Sequence, residues 1–154
     1  MSLWDQIVPI VQAVIDGENN AIANMANTAA VLGQHVPNIN WAGFYLVDQE
    51  LATGELVLGP FWGKPACVRI PPGKGVCGAA AMQRATMVVG NVHDFPGHIA
   101  CDAASCSEIV VPLISHGRLL GVLDVDSPDY DRFTDSDRIP LEQIAQIVVQ
   151  GSRW

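Results

Sequence analysis

The chain predicts an α+β fold, with one domain over residues 1–154 and a central, mainly antiparallel sheet of five or six strands with helices packed on it. Three observations point there. Apolar residues recur at helical spacing near both ends of the chain. Short β-branched and aromatic runs fill much of the middle. The clearest two of those runs flank a tight-turn dipeptide, His116-Gly117.

Taken in order, Ser2 followed by Asp5 caps a first helix whose apolar positions are Leu3, Ile7, Val11, Val14 and Ile15. Pro9 should bend that helix or delay its start. Gly17 breaks it, and Asn19-Asn20 caps a second helix to about residue 34, with Ile22, Met25, Ala29 and Leu32 on one face and Val36-Pro37 as its end. Trp41 to Val47 reads as a strand apolar on both faces, Thr53-Gly54 as a turn, and Glu55 to Leu58 as the hairpin partner. A short strand over Ala66 to Ile70 runs into Pro71-Pro72-Gly73, and a short helix over Gly75 to Arg84 carries Cys77 near its start. Thr86 to Val89 looks extended. Residues 91 to 107 hold two His, Pro96 and Gly97 without periodicity, a length that connections seldom reach unless they have work to do. Glu108 to Ser115 and Leu119 to Asp126 form the hairpin, and Thr134-x-x-Asp137 opens a closing helix through Ile144, Ile147 and Val148, with Pro140 near its first turns and Gly151 as its stop.

Composition removes several functions. No uninterrupted apolar run comes near the ~20 residues a bilayer crossing needs. The opening Met-Ser-Leu-Trp-Asp-Gln has no basic segment ahead of an apolar stretch, so the expectation is a cytoplasmic protein with reduced thiols. A formal charge of −8 without a Lys/Arg cluster argues against nucleic acid as a partner. There is no repeat, low-complexity tract or linker.

Three cysteines lie in three separate segments: Cys67, Cys77 and Cys101. Their spacing is too wide for a CxxC pair or a zinc knuckle, yet a sheet can bring such segments together, and convergent thiols suggest redox chemistry. Cys101, in the long loop after His98 and before Asp102, is in a polar setting. Cys77 near a helix start, close to Lys74, is expected to have its thiolate favoured by the helix dipole. Cys67 has no such activation, but a resolving thiol needs reach more than acidity. Cys106 reads as a packed bystander. Zinc is disfavoured, although His98-x-x-Cys101 offers two ligands, because no tight Cys pair matches a structural site. A Cys/His hydrolase with His93 or His98 as base has no local signature to support it.

Asp124 and Asp126 are two residues apart on one predicted strand, so pleating sets both carboxylates on one face and Leu123 and Val125 on the other. Glu108 begins the partner strand at the same end of the hairpin. Either this is a solvated strand end, or the acids surround a cationic group, with one of them held protonated by its neighbours. Trp41 and Tyr45, on one face of their strand, offer an apolar wall and a hydroxyl. Together the groups describe a pocket for a small, polar, sulfur-bearing amino acid.

The stretches Asn40-Trp-Ala-Gly-Phe-Tyr45, Gly75-Val-Cys-Gly78, Gly97-His-Ile-Ala-Cys-Asp-Ala-Ala-Ser105, Ser107-Glu-Ile-Val110 and Gly121-Val-Leu-Asp-Val-Asp-Ser127 resemble the free methionine-(R)-sulfoxide reductases, enzymes built on a single GAF domain. The resemblance runs from about residue 17 to 148. It implies that Cys101 attacks the sulfoxide and becomes a sulfenic acid, that Cys67 resolves it, and that Cys77 is an alternative or relay thiol. It also implies that Glu108 and Asp126 assist departure of the oxygen and that Asp124, with one of them, holds the substrate ammonium. Trp41 would pack on the terminal methyl, Tyr45 would complete the pocket, and backbone amides of residues 97–105 would receive the substrate carboxylate. Thioredoxin would be the electron donor, with no bound cofactor or metal and a homodimeric assembly. Cys106 is additional to the family's three functional cysteines. The competing function is a small-molecule sensor, which would use Cys101 only for packing or attachment.

Overall fold

The computed structural model of the chain describes residues 1–98 and 103–154. Its helices are α1 (Leu3–Ile15), α2 (Ala21–His35), α3 (Gly75–Gln83) and α4 (Asp135–Gly151), with a short 3-10 turn at Val92–Asp94. Its strands are β1 (Trp41–Val47), β2 (Leu56–Gly63), β3 (Arg69–Ile70), β4 (Met87–Val89), β5 (Ser107–Ser115) and β6 (Arg118–Ser127). They form one six-stranded sheet in the order β3-β2-β1-β6-β5-β4, and every neighbouring pair is antiparallel. Among the described residues no helix is long and apolar enough to cross a membrane.

Local chemistry sets the helix starts. Ser2 accepts from the Asp5 amide while Asp5 receives the Ser2 amide, and Thr134 and Asp137 repeat that reciprocal box at the start of α4. The box outweighs Pro9, which sits inside α1 without delaying its start. The buried stripe of α1 is Trp4, Ile7, Val11 and Ile15, and the expected Leu3 and Val14 lie at its exposed margin. Trp4 turns inward because its indole N–H reaches the Asp137 carboxylate at 3.0 Å. In α2, Met25, Ala29 and Leu32 are buried as expected, but Ile22 is 67% exposed. Polar bonds fasten this first turn instead, with Asn24 Nδ2 donating to the carbonyls of Glu18 and Gly151.

Two strand expectations need correction. β2 continues past Leu58 through Gly59 and Pro60 to Gly63, residues that read as breakers. The register shifts between Gly43 and Tyr45, leaving Phe44 opposite both Gly59 and Pro60. That bulge is a place where a residue without an N–H is tolerated in a sheet. β3 is only Arg69–Ile70 rather than Ala66 to Ile70, so Cys67 lies in the irregular segment before the strand and not on it. The β5–β6 hairpin closes at His116 and Gly117 with φ of 49° and 76°, the pair of left-handed residues that a tight two-residue hairpin turn needs.

The sheet has two unlike faces. Ala42, Phe44, Ile109, Val111, Leu123 and Val125 pack with α1, α2 and α4 into the larger apolar core. Trp41, Tyr45, Val110 and Val122 face the other way and pack with Val76, Cys77, Ala80 and Ala81 of α3.

Candidate active site

Strand register assembles the site. Trp41 of β1 pairs with Asp126 of β6, and Asp126 pairs with Glu108 of β5, so three expected residues form one row across three strands. One step along, Gly43 pairs with Asp124, and Asp124 with Val110. Residues two apart share a face, so Asp124, Asp126, Glu108, Trp41 and Tyr45 all look into the same cavity, where Cys77, His98 and Ser105 join them.

The aromatic wall depends on a missing side chain. A Cβ on Gly43 would stand 2.8 Å from the Trp41 ring and 2.3 Å from Cβ of Phe61. Without it, the Trp41 indole lies stacked on Tyr45 at 5.9 Å and on Phe61 at 5.3 Å between ring centres. Both polar ends of this wall are engaged. The Trp41 indole N–H donates to the Lys64 carbonyl at 3.2 Å and the Tyr45 hydroxyl to the Cys67 carbonyl at 2.9 Å. Tyr45 therefore supports the segment carrying Cys67 as well as lining the cavity. Burial, reinforced by the charge of Asp124, pushes its phenol upward, so it stays a neutral donor.

The acids are not at a solvated strand end. Glu108 and Asp124 are 8% and 4% exposed. Burial, then the neighbouring Asp124, raises Glu108 well above the usual carboxylate range; burial, then Asp126, raises Asp124 likewise. Asp124 Oδ1 is buried without a hydrogen-bond partner.

Cys77 sits at the third position of α3, as expected, but its chemistry is reversed. Its thiol lies 3.9 Å from Glu108 Oε2, and burial followed by the charges of Asp124 and Glu108 raises it well above the ordinary thiol value. The helix terminus cannot favour a thiolate that is enclosed among carboxylates. Ligand atoms of Cys77, Glu108 and Asp124 lie within 4.8 Å of one another, a metal-ligand set among the described residues that sequence spacing did not suggest.

Cys67 is disulfide-bonded, whereas Cys77 and Cys106 carry free thiols. Cys106 is half-buried, with its thiol 3.9 Å from the Ala104 carbonyl, and is not among the residues lining the cavity. Cys101, the expected nucleophile, and Asp102 lie outside the described residues, as does part of the 97–105 backbone expected to receive a carboxylate. His98 borders the cavity half-buried, and burial, then the nearby His93, lowers its basicity. Sequence reasoning missed Phe61, which joins the wall only because β2 passes Pro60. It also missed Ser105, whose hydroxyl accepts from Asn40 Nδ2 at 3.2 Å. Ser105 ends the quoted Gly97–Ser105 stretch, whereas no local signal marked Phe61.

Comparison with known proteins sharpens the picture. A model of the GAF domain matches residues 20–151. The chain is 52% identical over 132 residues to the free methionine-R-sulfoxide reductase of Escherichia coli (strain K12), spanning 86% of this chain and 78% of that protein. It is 43% identical over 151 residues to the free methionine-R-sulfoxide reductase of Saccharomyces cerevisiae, spanning 95% of this chain and 83% of that protein. Among solved structures, the free methionine-R-sulfoxide reductase of Neisseria meningitidis in complex with its substrate superposes with a TM-score of 0.91 at 47% identity, covering 96% of this chain and 87% of that one.

Proposed function

The chain belongs to the free methionine-R-sulfoxide reductases, a GAF-domain family, and from that premise we propose that it reduces free L-methionine-(R)-sulfoxide with Cys101 as the nucleophile. The Cys101 sulfur attacks the sulfoxide sulfur, the oxygen passes to the cysteine, methionine leaves, and Cys101 remains as a sulfenic acid. Cys67 attacks that sulfenic acid, forming a disulfide and releasing water. A thioredoxin dithiol then reduces the disulfide and is itself oxidised.

The observation that carries this reading is the buried acid cluster beside the aromatic wall. A sulfoxide oxygen can leave sulfur only if it is protonated or strongly hydrogen-bonded as it goes, and a carboxyl kept neutral by burial is such a donor. Glu108 supplies such a carboxyl, Asp126 beside it shares the duty of binding the departing oxygen, and Asp124 with one of them receives the substrate ammonium. Trp41 and Tyr45 form the wall against the methyl end. The oxidised state of Cys67, set against the free thiols of Cys77 and Cys106, supports Cys67 as the resolving residue. Cys77, raised and enclosed, is left as a secondary relay thiol. A cavity that holds both the ammonium and the carboxylate of its substrate admits a free amino acid and rejects a peptide-linked one. The enzyme works in the cytoplasm as a homodimer.

The test is thioredoxin-coupled NADPH oxidation with each diastereomer of free methionine sulfoxide. Only the R form should be consumed. Cys101→Ser should be inactive, and Cys67→Ser should release one equivalent of methionine and then stall. Full turnover by Cys101→Ser, or equal use of the S form, would defeat the assignment.

A further inference from the structure

Cys77, Glu108 and Asp124 come from α3, β5 and β6, yet each presents one ligand atom within 4.8 Å of the other two. Zinc bonds of ~2.3 Å to thiolate and about 2.0–2.2 Å to carboxylate oxygen separate tetrahedral ligand atoms by roughly 3.4–3.6 Å. Cys77 Sγ already stands 3.9 Å from Glu108 Oε2, so side-chain adjustment alone closes the set. A second observation is independent of that spacing. Asp124 is only 4% exposed, it lines the cavity, and its Oδ1 has no hydrogen-bond partner. Among the described residues, no Lys or Arg is ion-paired with Glu108 or Asp124.

We propose that this trio is a binding site for a borderline-soft divalent cation, zinc in particular, and that metal in the site excludes the free amino acid from the same cavity. One sulfur and two oxygens suit zinc better than magnesium or calcium, which take oxygen ligands alone. Three protein ligands leave a fourth position for water, the pattern of an exchangeable rather than a closed structural site. The metal has no part in the reduction; it competes with the ammonium group for the same carboxylate oxygens. The exclusion half of the proposal rests on the function proposed above, and the metal site itself does not.

Calorimetric titration of Zn2+ into the protein with Cys67 in its disulfide should show one ion bound per chain. Cys77→Ala and Glu108→Gln should each weaken binding by at least about tenfold. Co2+ should give a thiolate-to-cobalt charge-transfer band that Cys106→Ser retains, a readout that does not depend on the Cys77 variant folding. Absence of binding, a band that survives Cys77→Ala, or a band lost in Cys106→Ser would overturn the site. L-Methionine titrated with and without zinc tests the exclusion: binding weakened by zinc supports it, and equal binding refutes it. If methionine fails to bind even without metal, the exclusion falls, while the zinc titration still decides the site and the NADPH-coupled assay decides the reaction.

Discussion

Asp137 and Asp124 are buried almost equally, at 7% and 4% exposure, and their surroundings could hardly differ more. Asp137 receives the Trp4 indole N–H at 3.0 Å, the Thr134 amide at 2.9 Å and the Arg132 guanidinium at 3.4 Å, at the positive end of α4. Asp124 faces a thiol and two more carboxylates, with one oxygen unpartnered. A buried acid that holds a fold together is supplied with donors. Asp124 is left crowded, with Oδ1 unsatisfied. The same division separates the two faces of the sheet. Alternate residues of β1 and β6 enter either a closed apolar core or a polar cavity, so one pair of strands supplies both.

The comparison can be broken at three points. Phe44→Ala, on the helix-covered face, should cost about 3–5 kcal/mol in urea unfolding, because Phe44 is fully buried and its removal leaves a cavity. A loss no larger than that of a surface substitution would mean the helix-covered face is not the stabilising one. Asp137→Ala should cost about 2–4 kcal/mol, since an indole, an amide and a guanidinium lose their acceptor together.

Asp124→Asn should behave in the opposite way, abolishing turnover while leaving stability unchanged or higher at neutral pH. Its sign follows from proton binding. Glu108 and Asp124 hold protons to higher pH when folded than in the unfolded chain, where they titrate near 4.5 and 3.8. Their contribution is therefore fully present below those values and is lost as pH rises through the raised folded ones. Wild-type stability should fall across that window, and Asp124→Asn should flatten the fall. Unfolding midpoints measured from pH 4 to 9 would show it, and a steeper fall in the variant would contradict the account.

Much of the fold was legible because its signals are local. Two reciprocal capping boxes marked the starts of α1 and α4, and His116-Gly117 marked the β5–β6 turn. The pleat at Leu123 to Asp126 separated core from cavity residues correctly. Errors arose where a distant partner decides. β2 runs through Gly59-Pro60 because β1 accommodates a bulge opposite Phe44, and nothing near Pro60 announces that.

The sequence alone determined where α1 and α4 begin, where the β5–β6 hairpin turns and which side of β6 is apolar, since capping, turn chemistry and pleating act within a few residues. Tertiary structure alone decided the character of the site. Three antiparallel strands had to align before Trp41, Asp126 and Glu108 could share a row. The underside of α3 had to close over them before the thiol of Cys77, expected to be acidic, was enclosed among carboxyls and forced the other way. Desolvation and charge repulsion depend on what lies across space, and chain order does not record that.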